Sequence, residues 1–319
     1  MKKYLSLPIL FLASIIWGFA FAAQKAAVII PPFTLLFARS IIGSLFLIPI
    51  VCLFDKLRGD GRRLFSHRTK NGKRHSVLDI TRSELIGGAI CGAFLFIASA
   101  LQQIGISGTD AGKTSFITAL YVVIVPIYAR ILGKRSPLNT WIAVITAVVG
   151  FYLLCINDSF SLSLPDLLVL LCAFVFAMQI MAIDKFSPST DGVRLSLVQF
   201  STCTILSLIA ALIFEMPANV SAIFSSIGAI LFLGIGSSGI AYTCQIIGQK
   251  NTHPAVASVI LSLESVFGAL AGALLLGERM SPKEYVGCAV VFAAVIIAEI
   301  DFGSLFSKSR RSSPEDRSD

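Results

Sequence analysis

Polar chemistry has few places to reside in this chain, because acids, bases and amides are scarce inside its long apolar runs. Glu264 is the clearest case, standing in Leu261-Ser262-Leu263-Glu264-Ser265-Val266-Phe267 near the middle of such a run. In lipid, an ionisable group at that depth costs roughly 2.5–3.5 kcal/mol or more unless it faces protein or water. It then serves either as a cavity carboxylate, meeting a cationic group or taking a coupling proton, or as a protonated acid that cements packing. Tyr121, Tyr242, Trp17 and the amides of Gln102, Gln103, Gln179 and Gln245 occupy other apolar runs. These side-chain types bind polar solutes; they supply neither a nucleophile with its base nor a metal-ligand set. His67, His75 and His253 are the only histidines, and no HExxH, GxSxG or acidic metal cluster occurs. GxxxxGK[ST] is also missing, so an intrinsic ATP motor is unsupported. The seven cysteines fall within apolar runs without CxxC spacing, which suggests neither a disulfide framework nor a metal site. No cofactor is expected.

The elements that must hold these groups are read from composition. Apolar residues make up 55% of the 319 and charged residues 14%, where a soluble domain carries roughly 25% charged. Charge that sparse cannot coat a water-soluble protein of this size. A membrane helix needs about 20 apolar residues, and ten such runs can be drawn. They are Leu5–Ile29, Phe33–Phe54, Leu85–Ile106, Ala111–Leu132, Leu138–Ile156, Pro165–Ile183, Val193–Phe214, Ile227–Ile247, Ala255–Leu276 and Tyr285–Ile300. The expected fold class is an all-α polytopic membrane protein of ten transmembrane helices. Met1-Lys2-Lys3 and Ala20-Phe21-Ala22 also fit a cleaved signal peptide, but the first run is longer than a signal core of 7–15 residues. A retained first helix is expected.

The net charge of +8 is distributed in a way that argues against nucleic acid. Nine Lys and Arg fall between Lys56 and Arg82, beside apolar runs, where basic loops report orientation and anionic lipid. With a cytoplasmic N-terminus and ten spans, twenty-one Lys and Arg lie inside. Lys25, Lys113, Arg279 and Lys283 lie outside, and Arg39 lies within a span. Both termini are therefore placed in the cytoplasm and the chain in the cell (inner) membrane.

An internal repeat organises the whole. Shifted by 143 residues, Ile97–Leu132 overlays Ile240–Leu275 without a gap, with eleven identities that include Gln102/Gln245 and Gly105/Gly248. Five spans per half is an odd number, so the second half enters the membrane in the opposite sense. Inverted repeats are how many secondary transporters expose one central site alternately to two sides. The expected units are residues 1–156, with a cytoplasmic insertion at 55–84, and residues 157–306. A polar tail at 307–319 is expected to be disordered.

Ala13-Ser14-Ile15-Ile16-Trp17-Gly18, Phe37-Ala38-Arg39, Leu120-Tyr121-Val122-Val123-Ile124-Val125-Pro126 and the tract from Leu261 to Gly277-Glu278-Arg279 form a pattern. It resembles the EamA-type permeases of the drug/metabolite transporter superfamily across nearly the whole chain. The resemblance implies ten helices, two inverted five-helix repeats and a central substrate cavity. This chain departs from the pattern at Gly133-Lys134-Arg135, where a Gly-Glu pair is common, and at Ser265, where a proline is frequent. Members carry amino acids, other metabolites, nucleotide precursors and drugs, so the solute stays unnamed.

The expected function is secondary transport of a small organic metabolite by alternating access, with Glu264 a candidate for proton coupling. The alternative is an integral membrane enzyme acting on a lipid or metabolite. Trp17, Gln102, Gln103, Tyr121, Gln179, Tyr242, Gln245 and Glu264 are the candidate transport-path residues, each with packing as its bland alternative. Pro126 is a candidate hinge, since it removes the bond to the carbonyl of Val122. Arg39 can snorkel to the headgroups, while the resemblance keeps a functional role open. Glu278 and Arg279 read as capping or orientation residues. The expected partners are a small-molecule substrate, protons and membrane lipid; neither nucleic acid nor an obligate protein partner is indicated.

Overall fold

The computed structural model describes residues 3–57, 67–68, 74–75, 80–155, 163–216 and 220–299. Most of the expected insertion at 55–84 and all of the tail at 307–319 lie outside the described residues. Apart from paired two-residue strands, β1 (His67–Arg68) and β2 (Arg74–His75), the described chain is helical. The first half holds α1 (Lys3–Ala26), α2 (Pro32–Leu57), α3 (Arg82–Ser107), α4 (Ala111–Ala119), α5 (Tyr121–Ile131) and α6 (Leu138–Cys155). Next come α7 (Leu164–Phe186), α8 (Gly192–Phe214), α9 (Val220–Ser225) and α10 (Ile227–Leu231). A π-helical stretch (Phe232–Ala241) leads into α11 (Tyr242–Gln249), followed by α12 (Pro254–Leu261), α13 (Glu264–Leu276) and α14 (Pro282–Glu299).

Among the described residues, eight helical segments are long and apolar enough to cross a membrane. Ala111–Ile131 and Pro254–Leu276 each count as one such segment although each is broken inside. The apolar part of α6, Leu138–Leu153, is shorter. α14 carries Lys283, Glu284 and Glu299 at its ends. These two helices pack along each other, with Gly150 of α6 against Val291 of α14.

Helix starts follow from local polar chemistry. Thr81 and Glu84 form a reciprocal cap on α3, the Glu84 amide donating to Thr81 Oγ1 (3.2 Å) and the Thr81 amide to Glu84 Oε2 (2.8 Å). Ser163 and Asp166 do the same for α7, and Asp191 caps α8 through the amides of Val193 and Arg194. α13 ends at Gly277, whose φ of 72° is left-handed backbone that glycine adopts without strain.

Packing between helices relies on missing side chains. A Cβ on Gly18 of α1 would stand 2.2 Å from Phe267 Cβ of α13, and one on Gly92 of α3 would stand 2.5 Å from the Gln199 carbonyl of α8. Lipid tails are as apolar as leucine, so close backbone approach of this kind is what drives helix association in a membrane. The small-residue face of Gly88 and Gly92 is consumed by α8 within the bundle.

Two interruptions occupy equivalent places in the two halves of the chain. Leu120 separates α4 from α5 with φ −60° and ψ −12°; Leu263 precedes α13 with φ −58° and ψ −15°. At both, the amide donates three residues back, Leu120 to Ile117 O and Leu263 to Ile260 O, each at 3.2 Å. This local tightening to 3₁₀-type bonding inside a helix often marks a functional hinge. The two breaks lie 143 residues apart, the offset of the sequence repeat, so Tyr121 and Glu264 open equivalent half-helices. Pro126 lies inside α5, beyond the break. Its counterpart in the overlay is Ala269, yet α12 and α13 are separated all the same, so a proline is not what separates these half-helices.

Candidate functional site

Residues of α1, α2, α3, α4, α5, α7, the π-helical stretch, α11 and α13 surround a cavity inside the bundle. Its aromatic wall is built around Tyr242, whose ring lies 4.6 Å from Trp17 and 5.4 Å, edge-on, from Phe200. The π-helical stretch sets the start of α11, and hence Tyr242 and Gln245. Its Gly234 and Gly239 let α2 approach through Ile42 and Phe46. The uncovered backbone of π-helical insertions is a recurrent feature of functional sites. The corresponding part of the first half is unbroken α3.

Amides form the floor. Gln245 Nε2 donates to Gln179 Oε1 (3.2 Å) and Gln179 Nε2 returns a bond to Gln245 Oε1 (3.4 Å), with a branch to Gln199 Oε1 (3.3 Å). Gln102, the repeat counterpart of Gln245, instead donates to Thr118 Oγ1 (3.1 Å), which adjoins Cys172. The two counterparts thus do not bind each other.

Trp17, Gln102, Tyr121, Gln179, Tyr242, Gln245 and Glu264 all line this one cavity. Gln103 does not; it is buried in α3 away from it. Pro126 is buried in α5 and also lies outside the lining. Sequence reasoning passed over Gln24, Thr118, Ser237 and the apolar Phe176 as lining groups, and undervalued Arg39. Arg39 does not snorkel: it is 4% exposed and turned into the cavity. The signal for Arg39 was present, a fixed charge inside an apolar run.

Polar atoms around the cavity are left unanswered. Trp17 Nε1, Gln24 Oε1, Arg39 Nε, Tyr121 Oη and Glu264 Oε1 are buried and have no hydrogen-bond partner. Tyr121 and Glu264 lie close together, and their side chains interact directly. A buried polar atom without a partner costs about 1–3 kcal/mol. Five around one space are what a polar ligand would satisfy. Among the described residues there is no grouping of His, Cys, Asp and Glu that could hold a metal ion.

Both ends of the bundle are tied by polar contacts. At one end Lys25 Nζ donates to the carbonyls of Ile106 (3.1 Å) and Thr109 (2.7 Å), and Lys113 pairs with Asp166 at 2.8 Å. Glu215 there accepts from the amides of Phe33 (2.8 Å) and Thr34 (2.6 Å). Glu278 Oε1 accepts from the Ala111 amide at the start of α4 (3.4 Å). Burial pushes the Glu278 carboxyl above the usual carboxylate range and Asp110 adds to this, while the Ala111 and Gly112 amides and Lys25 oppose it. At the opposite end Arg194 binds both oxygens of Asp55 (2.9 and 2.7 Å) and the Asp191 amide donates to Glu84 Oε1 (3.1 Å). His253 Nδ1 accepts from the Ala255 amide, capping α12, and burial holds its imidazole below the usual range.

A bundle of long apolar helices around an internal cavity lined by polar side chains defines an integral membrane protein. The EamA-like transporter family matches residues 5–156 and 163–299. The chain belongs to that family, and through it to the drug/metabolite transporter superfamily. An uncharacterized transporter of Archaeoglobus fulgidus is 28% identical over 299 residues, which cover 91% of this chain and 84% of that protein. A solved crystal structure shares the fold with a TM-score of 0.72 at 19% identity, over 98% of this chain and all of that one.

Proposed function

We propose that the protein is a secondary transporter that carries a small organic metabolite through the central cavity by alternating access. The observation that carries this reading is the set of five unanswered buried polar atoms around one mid-bundle cavity. Burial without partners is tolerated where a ligand supplies the missing bonds. The equivalent breaks at Leu120 and Leu263 support two inverted five-helix repeats, residues 1–156 and 157–306, each with a half-helix opening at the cavity. α6 and α14 complete the count of ten spans. The protein sits in the cell (inner) membrane with both termini cytoplasmic, a reading that rests on the excess of Lys and Arg on one side. Trp17 and Tyr242 supply the aromatic wall, Gln102, Gln179 and Gln245 the amide contacts, and Tyr121 and Glu264 the pair that opens the half-helices. Glu264 exchanges a coupling proton with the water phase as the solute moves.

The test is counterflow in sealed proteoliposomes loaded with an extract of small metabolites, with labelled solute outside. Accumulation of label that requires an intact vesicle supports the carrier; conversion of the solute in leaky vesicles supports an enzyme instead. In the same vesicles Glu264→Gln should keep exchange measurable and lose its dependence on a pH gradient. Unchanged pH dependence would remove the proton from the mechanism.

A further inference from the structure

We infer that Arg39 is the specificity-determining residue for an acid group on the solute, so that the carried metabolite bears a carboxylate or a phosphate. This rests on the cavity being the transport path. Arg39 is 4% exposed and lines the cavity, and no Asp or Glu among the described residues lies within 4.0 Å of its guanidinium. Its Nε has no partner either. The contrast with Arg194 is informative. That guanidinium is similarly buried and its Nε also lacks a partner, but its Nη2 donates to both oxygens of Asp55, an answer that Arg39 does not have. This fold therefore pairs a buried arginine where the charge is structural and leaves one unpaired where the cavity begins.

An unpaired guanidinium in a low-dielectric interior carries a desolvation cost of several kcal/mol. The opposite charge has to come from somewhere. Glu264 lines the same cavity but makes no ion pair with Arg39. The phenol of Tyr242 feels both of them. Both groups thus line one chamber without forming an ion pair with each other. The titratable groups that face Glu264 are Tyr121, Tyr242 and Cys172, and none carries a fixed positive charge. An acid group at Arg39 neutralises the guanidinium through the planar fork that suits carboxylate and phosphate oxygens. Whatever donors the solute carries at its other end then face Glu264 and the unanswered Tyr121 hydroxyl. A purely cationic or neutral solute leaves Arg39 uncompensated and is rejected.

The test is thermal unfolding of the purified full chain with one scaffold in several charge states. The probes are 3-phenylpropanoate, phenylalanine, phenyl phosphate, 3-phenylpropanamide and phenethylamine. Acid-bearing members should raise the unfolding midpoint above the effect of the amide and the amine, with the carboxylate and phosphate arms deciding between the two acids. Arg39→Gln should raise the half-saturating concentration of the acid at least about tenfold. Arg39→Lys keeps the charge and loses the fork, so it should fold and bind the acid with intermediate strength. The assignment is overturned if the amide or amine stabilises as well as the acid. It also falls if no acid stabilises the wild type, or if Arg39→Lys binds the acid like the wild type. Counterflow that persists while this acid preference is absent would remove Arg39's role and leave the carrier standing; absence of both removes the carrier as well.

Discussion

Glu278 shows how one side chain can fasten two elements that are distant in sequence. Its carboxylate folds back over Gly272, where an added Cβ would stand 2.1 Å from Oε2, and reaches the amide of Ala111. Its carboxyl is raised when folded, so the folded state holds the proton more tightly than the unfolded chain does. Its contribution is therefore complete below the unfolded value near 4.5 and is lost as pH rises through the folded value. The unfolding midpoint of the wild type should fall over that interval, and Glu278→Gln, which keeps an acceptor for Ala111, should flatten the fall. An equal slope in the variant would assign the effect elsewhere. At this scale the sequence was informative wherever burial in lipid is costly: Glu264, Tyr121 and the glutamines stand out because apolar runs rarely contain them. Thr118 and Gln24 did not stand out. Hydroxyls are common at helix contacts in membranes, and Gln24 lies beside Lys25 near a helix end. Neither position advertises a cavity in the chain alone.

Helix breaks were the least legible elements. Leu120 and Leu263 are ordinary helix formers, with no glycine or proline at the break itself to mark it in the sequence. Pro126 drew the eye to a site six residues further on. The π-helical stretch was equally hidden, because Phe232–Ala241 reads as one apolar run with Gly234, Gly236 and Gly239 in it. Contacts between elements are easier to test. α1 meets α13 at Gly18, with Phe267 where a side chain would go. Gly18→Ala should destabilise by about 1–3 kcal/mol through overpacking, seen as a lower unfolding midpoint and less folded protein in the membrane. A neutral result would mean that the two helices separate freely at this point.

At the scale of the molecule, the repeat in the chain and the breaks in the fold speak to one another. The 143-residue offset was visible from residue identities, and the same offset relates Leu120 to Leu263. Composition likewise announced a membrane bundle, and eight of the expected spans are long, apolar helical segments. What composition could not announce was the cavity, since its lining comes from nine helical elements and only their packing gathers it. Polar ties close both ends of the bundle, Lys25, Glu215 and Glu278 at one and Asp55–Arg194 at the other. Alternating access requires these ties to release in turn, one end at a time.

Solvent access to the chamber is the most direct readout of that exchange. Ala20 lines the cavity, is 2% exposed and is small enough to replace without disturbing the wall. Ala20→Cys in a cysteine-free background should react with a membrane-impermeant thiol reagent added to either face of sealed vesicles of uniform orientation. Saturating solute should slow both reactions. Labelling from one face only, or from neither, while the protein remains folded would contradict an alternately exposed chamber.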